Sequence, residues 1–338
     1  MKGFSWKRSI AAITVLCCTL FPRLTAYRVV TFRALPAYKQ RVTGGDRIHF
    51  LNTGSSDAIV LESDGHFAMV DAGEDNDNPR DFPGLELPGY EQEVLGYLKQ
   101  NCADENGNVH LDFVLGTHAH SDHIGGFDTV LLDPAVTVDR AYLKEYDSSR
   151  INEHEVTDWD NREVYDQMVA ALTERGIPQI SNPDPVTFAF GNFTVTLINA
   201  VDPEADGPVG ENDNSFGVLL EKNGTRIFLA GDMDNVSGDE TRLAPEIGKV
   251  DLLKVGHHGY GGSSSDGFIS TLDPETCVVT NKRFGPSNDT LTGIIKICRH
   301  SRIYLTGCER GVLAVVGDNG QIDYYGRICD WKTRNSPA

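Results

Sequence analysis

The chain has 338 residues, of which 40% are hydrophobic and 23% charged. That usage excludes a disordered chain, a collagen-like repeat and a multi-pass membrane protein. The formal charge of −19 repels polyanions, which disfavours tight binding of long duplex DNA.

At the N-terminus Lys2, Lys7 and Arg8 precede an uncharged apolar run, Ser9 to Phe21, and Leu24-Thr25-Ala26 offers a small-residue cleavage site. This order describes a secretory signal peptide over residues 1–26. The run is shorter than the ~20 residues that cross a bilayer; an uncleaved anchor is the alternative. The expectation is therefore a secreted or extracytoplasmic protein, with no membrane span beyond such an anchor. Of the seven cysteines, five lie beyond residue 26, and none forms a CxxC pair. Neither a disulfide framework nor a thiolate metal site fits that spacing.

Residues 27–46 have no clear period, end in Thr43-Gly44-Gly45-Asp46, and read as a linker. A folded domain is expected over 47–327, with a tail over 328–338. Arg47 to Asn52, Ala58 to Glu62 and Phe67 to Val70 are short apolar or alternating runs between Gly, Ser and Asp, which predict antiparallel strands. Tyr90 to Gln100 has helical spacing, Val109 to Leu115 predicts one apolar strand, and Glu155 to Arg175 predicts one long helix. Val186 to Phe190 with Thr194 to Ile198, and Gly217 to Glu221 with Arg226 to Leu229, predict two hairpins. The second turns on Asn223-Gly224. Asp251 to Val255 predicts a buried strand. A helix near Phe268, a strand at Val278, a helix from Leu291 to Arg299, a strand at Ile303 and a hairpin over Gly311 to Tyr325 complete the chain. Strands followed by helices, twice over, fit a layered α/β sandwich better than one βαβ sheet.

The chemistry gathers where a strand ends. Val114-Leu115-Gly116 runs into Thr117-His118-Ala119-His120-Ser121-Asp122-His123. In extended backbone alternate residues face one way, so His118 and His120 can grip one ion. The following turn can aim Asp122 and His123 at a second ion. Imidazole nitrogen and carboxylate oxygen suit Zn²⁺, Mn²⁺ or Fe²⁺.

This HxHxDH run resembles the signature of the metallo-β-lactamase superfamily, and the likeness extends over roughly residues 47–325. Phe67 to Gly73, a strand ending in Asp71-Ala72-Gly73, looks like its first motif. Phe228 to Asp232 looks like the strand that delivers a metal-bridging carboxylate, and Leu252 to Gly259 looks like the last motif. A narrower likeness is to the ComEC-like hydrolase domain and its stand-alone secreted relatives. It rests on Asn212-Asp213-Asn214-Ser215 before a hairpin, then Gly231-Asp232, then His257-His258-Gly259 with Ser263-Ser264-Ser265.

The resemblance implies an α/β, four-layer αββα metallo-β-lactamase sandwich with two divalent metal ions, Zn²⁺ favoured and Mn²⁺ the alternative. It implies metal ligation by His118, His120, Asp122, His123 and Asp232, with Asp71 and Asn214 orienting ligands. One of His257 and His258 completes the metal site, and the residues do not say which. We assign His257 to the metal, and Asp122 and His258 to the catalytic steps. The superfamily's frequent third histidine between the HxHxDH run and the bridging Asp is absent; that interval holds only His154, in a charged helical stretch. This argues against β-lactam hydrolysis. Relatives often carry Gly-His-Pro in the region of Phe284-Gly285-Pro286, and that His is also missing here. Glu275 to Arg310 carries six Lys/Arg against three Asp/Glu, and Lys282 and Arg283 there are candidates for holding a substrate phosphate.

The expected activity is an exported hydrolase that turns a metal-bridging water into hydroxide and acts as a phosphodiesterase or nuclease-like enzyme. Its substrate would be a small-molecule or cell-wall-linked phosphodiester. The alternatives are an esterase, lactonase or amidase on the same centre, and a non-catalytic metal-binding surface domain.

Overall fold

The computed structural model describes residues 34–38, 45–76, 88–184, 186–200 and 208–332. The expected signal peptide lies outside these residues. Two large sheets dominate. The first has eight strands in the spatial order Ile322–Gly326, Val312–Val316, Asp46–Phe50, Ala58–Ser63, His66–Ala72, Phe113–Leu115, Ala141–Tyr142 and Gln179–Ile180. The second has seven, ordered Arg302–Leu305, Thr276–Val279, Leu252–Lys254, Thr225–Leu229, Gly217–Lys222, Phe193–Ile198 and Thr187–Phe190. Within each sheet the pairing is antiparallel on one side and parallel on the other, where helices supply the crossovers.

The period-2 rule explains the layers. Ile59 and Leu61 face the second sheet, whereas Val60 between them faces helices. Phe113 and Leu115 against Val114, and Ile227 and Leu229 against Phe228, divide in the same way. The inward residues of both sheets form one apolar layer. The outward residues of the first sheet pack on Val94 and Leu98 of helix Glu91–Asn101 and on Met168 and Leu172 of helix Asn161–Arg175. Those of the second pack on Leu243, Phe268 and Ile294 from three further helices. The result is the expected αββα sandwich. Strands covered on both faces read as continuous apolar runs.

Three expectations need correction. The run Val109 to Leu115 is two strands. Val109–Leu111 pairs with Val136–Val138 in a small separate sheet, and Phe113–Leu115 joins the first large sheet. Asp112 makes the break, its N–H donating to the Phe67 carbonyl at 2.8 Å. The predicted helix Glu155 to Arg175 is also two elements, Glu153–Asp158 and Asn161–Arg175. Between them Trp159 is extended (φ −121°, ψ 156°) and its ring meets His120, a contact no local rule foresees. The segments expected as linker and tail contribute to the fold. Leu35 is buried, Ala37 bridges Gly326, Cys329 is buried, and the Trp331 indole donates to the Asn52 carbonyl at 2.8 Å. All five described cysteines are free thiols. Among the described residues no helix is long and apolar enough to cross a membrane.

Phe113 is central to the layer between the sheets. It is fully buried, with the rings of Tyr142, Phe188 and Phe190 at 5.8, 5.5 and 5.4 Å. Phe113→Ala is expected to destabilise the chain by ~3–5 kcal/mol. Urea unfolding reads this as a lowered midpoint at unchanged slope; an unshifted midpoint would mean this layer is not tightly packed.

Candidate metal centre

The centre forms at the ends of four strands. Phe113–Leu115 delivers His118 to His123, with Ser121–Ile124 forming a single helical turn. His66–Ala72 carries Asp71 one residue before its end, where a φ of 55° is left-handed. Thr225–Leu229 delivers Asp232 through Gly231, at φ 54°. A side chain at Gly231 would place its Cβ 3.0 Å from the Thr117 Cβ, so glycine is needed here for both its φ and its lack of bulk. Leu252–Lys254 leads to His257 and His258, both left-handed at φ 49° and 48°. Left-handed backbone costs about 1–2 kcal/mol per non-glycine residue.

Two adjacent donor sets result. In the first, His118 Nε2 and His120 Nδ1 point at each other across 2.9 Å. The other nitrogens of these rings are engaged. His118 Nδ1 meets the Thr117 and Ser215 hydroxyls at 3.0 and 3.3 Å, and His120 Nε2 meets Glu155 Oε2 at 3.1 Å. In the second, His258 Nε2 lies 3.1 Å from His123 Nε2, 3.2 Å from Asp232 Oδ2 and 3.3 Å from Asp122 Oδ2. Asp232 Oδ1 is 3.1 Å from His123 Nε2. The His118 and His123 rings are 4.2 Å apart, so the sets adjoin.

Carboxylates stand behind the second set. Asp71 Oδ2 accepts from His123 Nδ1 at 2.7 Å, and Asp71 Oδ1 accepts from the Thr117 N–H at 2.7 Å. Asp57 Oδ1 faces His258 Nδ1 at 3.3 Å, and its other oxygen pairs with Lys254. Lys254 is fully buried; its ammonium donates to the Gly231 carbonyl at 2.7 Å and lies 3.5 Å from Asp232. Asp57, His123, Asp232 and His258 together form a buried group of metal-ligand type. Within it Asp57 faces the far nitrogen of His258, so its place is to orient the ring and leave Nε2 directed inward.

Charge follows geometry. Burial alone would depress the His123 ring, but Asp232 and Asp71 raise its pKa to about 10. Burial is likewise overridden at His258, where Asp232 and Asp57 push the pKa well above its usual value. His118 goes the other way: burial and the neighbouring His123 and His120 rings hold it well below. Burial would raise Asp57, yet Lys254 and His258 keep it at about 2. The second set therefore alternates buried acids with rings that hold protons where an ion would sit. Borderline nitrogen and carboxylate donors in that arrangement suit a divalent transition ion.

The expected assignment of the histidine pair is corrected. His258, not His257, brings its ring nitrogen to Asp122, His123 and Asp232. Two consecutive left-handed residues rotate the rings apart, their centroids 6.5 Å from each other. His257 stands beside the centre; burial and the neighbouring His258 lower its pKa against the opposing pull of Asp232 and Asp122, and its Nδ1 is buried without a hydrogen-bond partner. Asn214 donates to Glu211 Oε2 at 3.0 Å, and it is Ser215 that meets His118. Lys282 and Arg283 lie on the loop after Thr276–Val279, where Arg283 is exposed with its guanidinium 5.1 Å from the Phe284 ring centre. Asn281 at the start of that loop donates to the His258 carbonyl at 2.9 Å.

Sequence reasoning missed Asp57, Lys254 in its buried pairing, and Glu155. The first two carried a signal. Asp57 directly precedes an apolar strand, and Lys254 interrupts one. Glu155 carried none. His49, bonded to Tyr97 and Glu62, and the exposed His66, His110, His154 and His300 stand outside the centre, as expected.

Filling the centre must displace protons. At pH 7 both His123 and His258 hold protons that an ion would replace, so binding is expected to release about two protons and to tighten as pH rises toward 10. Zinc calorimetry in buffers of different ionisation enthalpy measures the number directly; a buffer-independent heat would contradict this charge arrangement.

The chain matches the family model described as beta-lactamase superfamily domain over residues 69–294. It is 26% identical over 216 residues to ComE operon protein 3 of Bacillus subtilis (strain 168), covering 61% of this chain and 25% of that protein. It is 23% identical over 278 residues to Recombination protein 2 of Haemophilus influenzae, covering 81% and 28%. The chain thus spans about a quarter of the length of these curated relatives. Among solved structures it resembles the metallo-beta-lactamase fold protein YhfI from Bacillus subtilis, with a TM-score of 0.49 and 12% identity, covering 78% of this chain and 96% of that one. With two thirds of its length inside the family model, this chain belongs to the beta-lactamase superfamily and carries its metallo-β-lactamase fold.

Proposed function

We propose that this protein is an exported, metal-dependent hydrolase of phosphodiesters, acting on small or cell-wall-linked molecules with two divalent ions, zinc or manganese. The observation that carries this reading is the pair of adjacent donor sets. His118 and His120 form one, Asp122, His123 and His258 the other, and Asp232 lies against the second with its charge felt at His118. Bound ions in such a pair supply Lewis-acid stabilisation at both the attacking and the leaving oxygen of a displacement at phosphorus.

The chain's own groups supply the rest. Asp71 and Asp57 hold the His123 and His258 rings by their far nitrogens, so the inward nitrogens keep a fixed direction. With His258 in the donor set, proton transfer to the leaving atom falls to His257. Burial lowers its pKa against the opposing pull of Asp232 and Asp122, so near pH 7 the ring must take up a proton before passing one to the leaving atom. The loop bearing Lys282 and Arg283 begins at Asn281, which donates to the His258 carbonyl, and this supports the two cations as the groups that would meet a phosphate oxygen. Lys254 has no such role: it is sealed against Asp57.

The direct test is hydrolysis of bis(p-nitrophenyl) phosphate by the zinc- or manganese-loaded chain, with and without chelator. Turnover is expected to vanish with chelator and to fall at least ~10³-fold in Asp122→Ala and His120→Ala, the scale of losing a metal-assisted step. Metal-bound protein without turnover, alongside cleavage of carboxylic esters, would replace the phosphodiester reading. His257→Ala is expected to slow substrates with poor leaving groups ~10²-fold or more and p-nitrophenyl substrates little. An equal loss on both classes would deny His257 the proton-donor role.

A further inference from the structure

Four imidazoles converge on the centre, and each has its far nitrogen occupied. For His123 and His258 the partners are Asp71 and Asp57, at the end of strand His66–Ala72 and just before strand Ala58–Ser63 of the first sheet. His118 is met by two hydroxyls. His120 differs: its partner Glu155 comes from the short helix Glu153–Asp158, in the segment joining strands Ala141–Tyr142 and Gln179–Ile180. None of the superfamily-like motifs in the sequence contains this segment.

The chemistry requires such a partner. Two ring nitrogens 2.9 Å apart, His118 Nε2 and His120 Nδ1, cannot both carry hydrogens. An ionised carboxylate only accepts, so Glu155 draws the hydrogen of His120 to Nε2 and leaves a lone pair on Nδ1. Glu155 is itself immobilised. Asn152 Nδ2 donates to its Oε1 at 2.7 Å, and the Glu211 N–H and Asn161 Nδ2 donate to its Oε2 at 3.0 and 3.4 Å. Its own N–H is capped by the Asn152 side chain at 3.0 Å. The Trp159 ring, 4.8 Å from the His120 ring, closes the remaining side. Glu155 is only 8% exposed, which a carboxylate tolerates when its acceptor sites are this fully used.

We infer that Glu155 is the positioning residue of the His118–His120 half of the centre, holding His120 in the tautomer that presents Nδ1 toward His118. This rests on the reading that His120 binds an ion. It makes the segment around Asn152 to Trp159 part of the metal chemistry and gives the two halves unlike supports. One half is braced by the sheet. The other has His120 braced by a short helix outside the sheets.

The test uses the full chain, with zinc affinities of both ions measured by chelator competition and the visible spectrum of the cobalt-substituted protein. Glu155→Ala is expected to weaken one ion ~10–100-fold, the usual effect of removing such an outer partner, and to leave the other unchanged. Glu155→Gln keeps an acceptor oxygen and is expected to restore most of that loss. The cobalt band of one ion should shift in the alanine variant and return in the glutamine variant. Wild-type affinity for both ions in Glu155→Ala would overturn the inference. So would equal weakening of both ions in the alanine and glutamine variants alike, the mark of a merely structural role. His120→Ala separates the two levels. If it retains both ions at wild-type affinity, the metal-binding reading of His120 fails; if it loses one while Glu155→Ala binds normally, only the role of Glu155 fails.

Discussion

The structure depends on one buried arrangement of charge around Asp232. This carboxylate is 1% exposed and lies against His123, His258 and Lys254. Asp57 and Asp71 back the same cations from the other side. Burying any one of these groups unpaired would cost several kcal/mol. The arrangement is tolerable only with every member in place. Its members come from both sheets, so it closes only when the two sheets have packed together.

That requirement gives the strand ends their unusual backbone. Asp71, Gly231, His257 and His258 all have positive φ, and each sits where a strand must stop and turn its next side chain inward. Strain of about 1–2 kcal/mol per non-glycine residue persists only where surrounding structure over-determines the conformation. The apolar layers supply that surrounding. The sandwich therefore acts as a rigid frame, and the chemistry lies on the turns it holds.

The short helix Glu153–Asp158 lies outside the two sheets. It reaches His120 through Glu155 and covers it with Trp159. In a centre where one half is held by carboxylates at the strand ends and His120 of the other by a short helix, that helix can be altered without disturbing the core. Loops positioned by a rigid scaffold carry functional variation for this reason.

The sandwich architecture and the HxHxDH run were legible in the sequence. Both depend on local rules: alternation across a strand, apolar runs where both faces are covered, and ligand-type side chains spaced along one extended segment. Asp232 was legible for a related reason, since an acid closing an apolar strand needs a partner; Asp71 was legible through the resemblance of its strand to the superfamily's first motif. The choice between His257 and His258 was not. It turns on two consecutive left-handed residues, and identical neighbouring side chains leave no pattern to separate them. Lys254 read as a cation on a buried strand, but its pairing with Asp57 joins residues 197 positions apart from different sheets. Glu155 and Trp159 looked like part of a continuous helix; only the packed molecule breaks that helix to set both against His120. Sequence alone determined which groups the chain has available and which fold holds them, because periodicity and strand-end acids are local. Tertiary structure alone decided which far group meets which ring, because a buried charge takes its partner from whatever packing brings within reach.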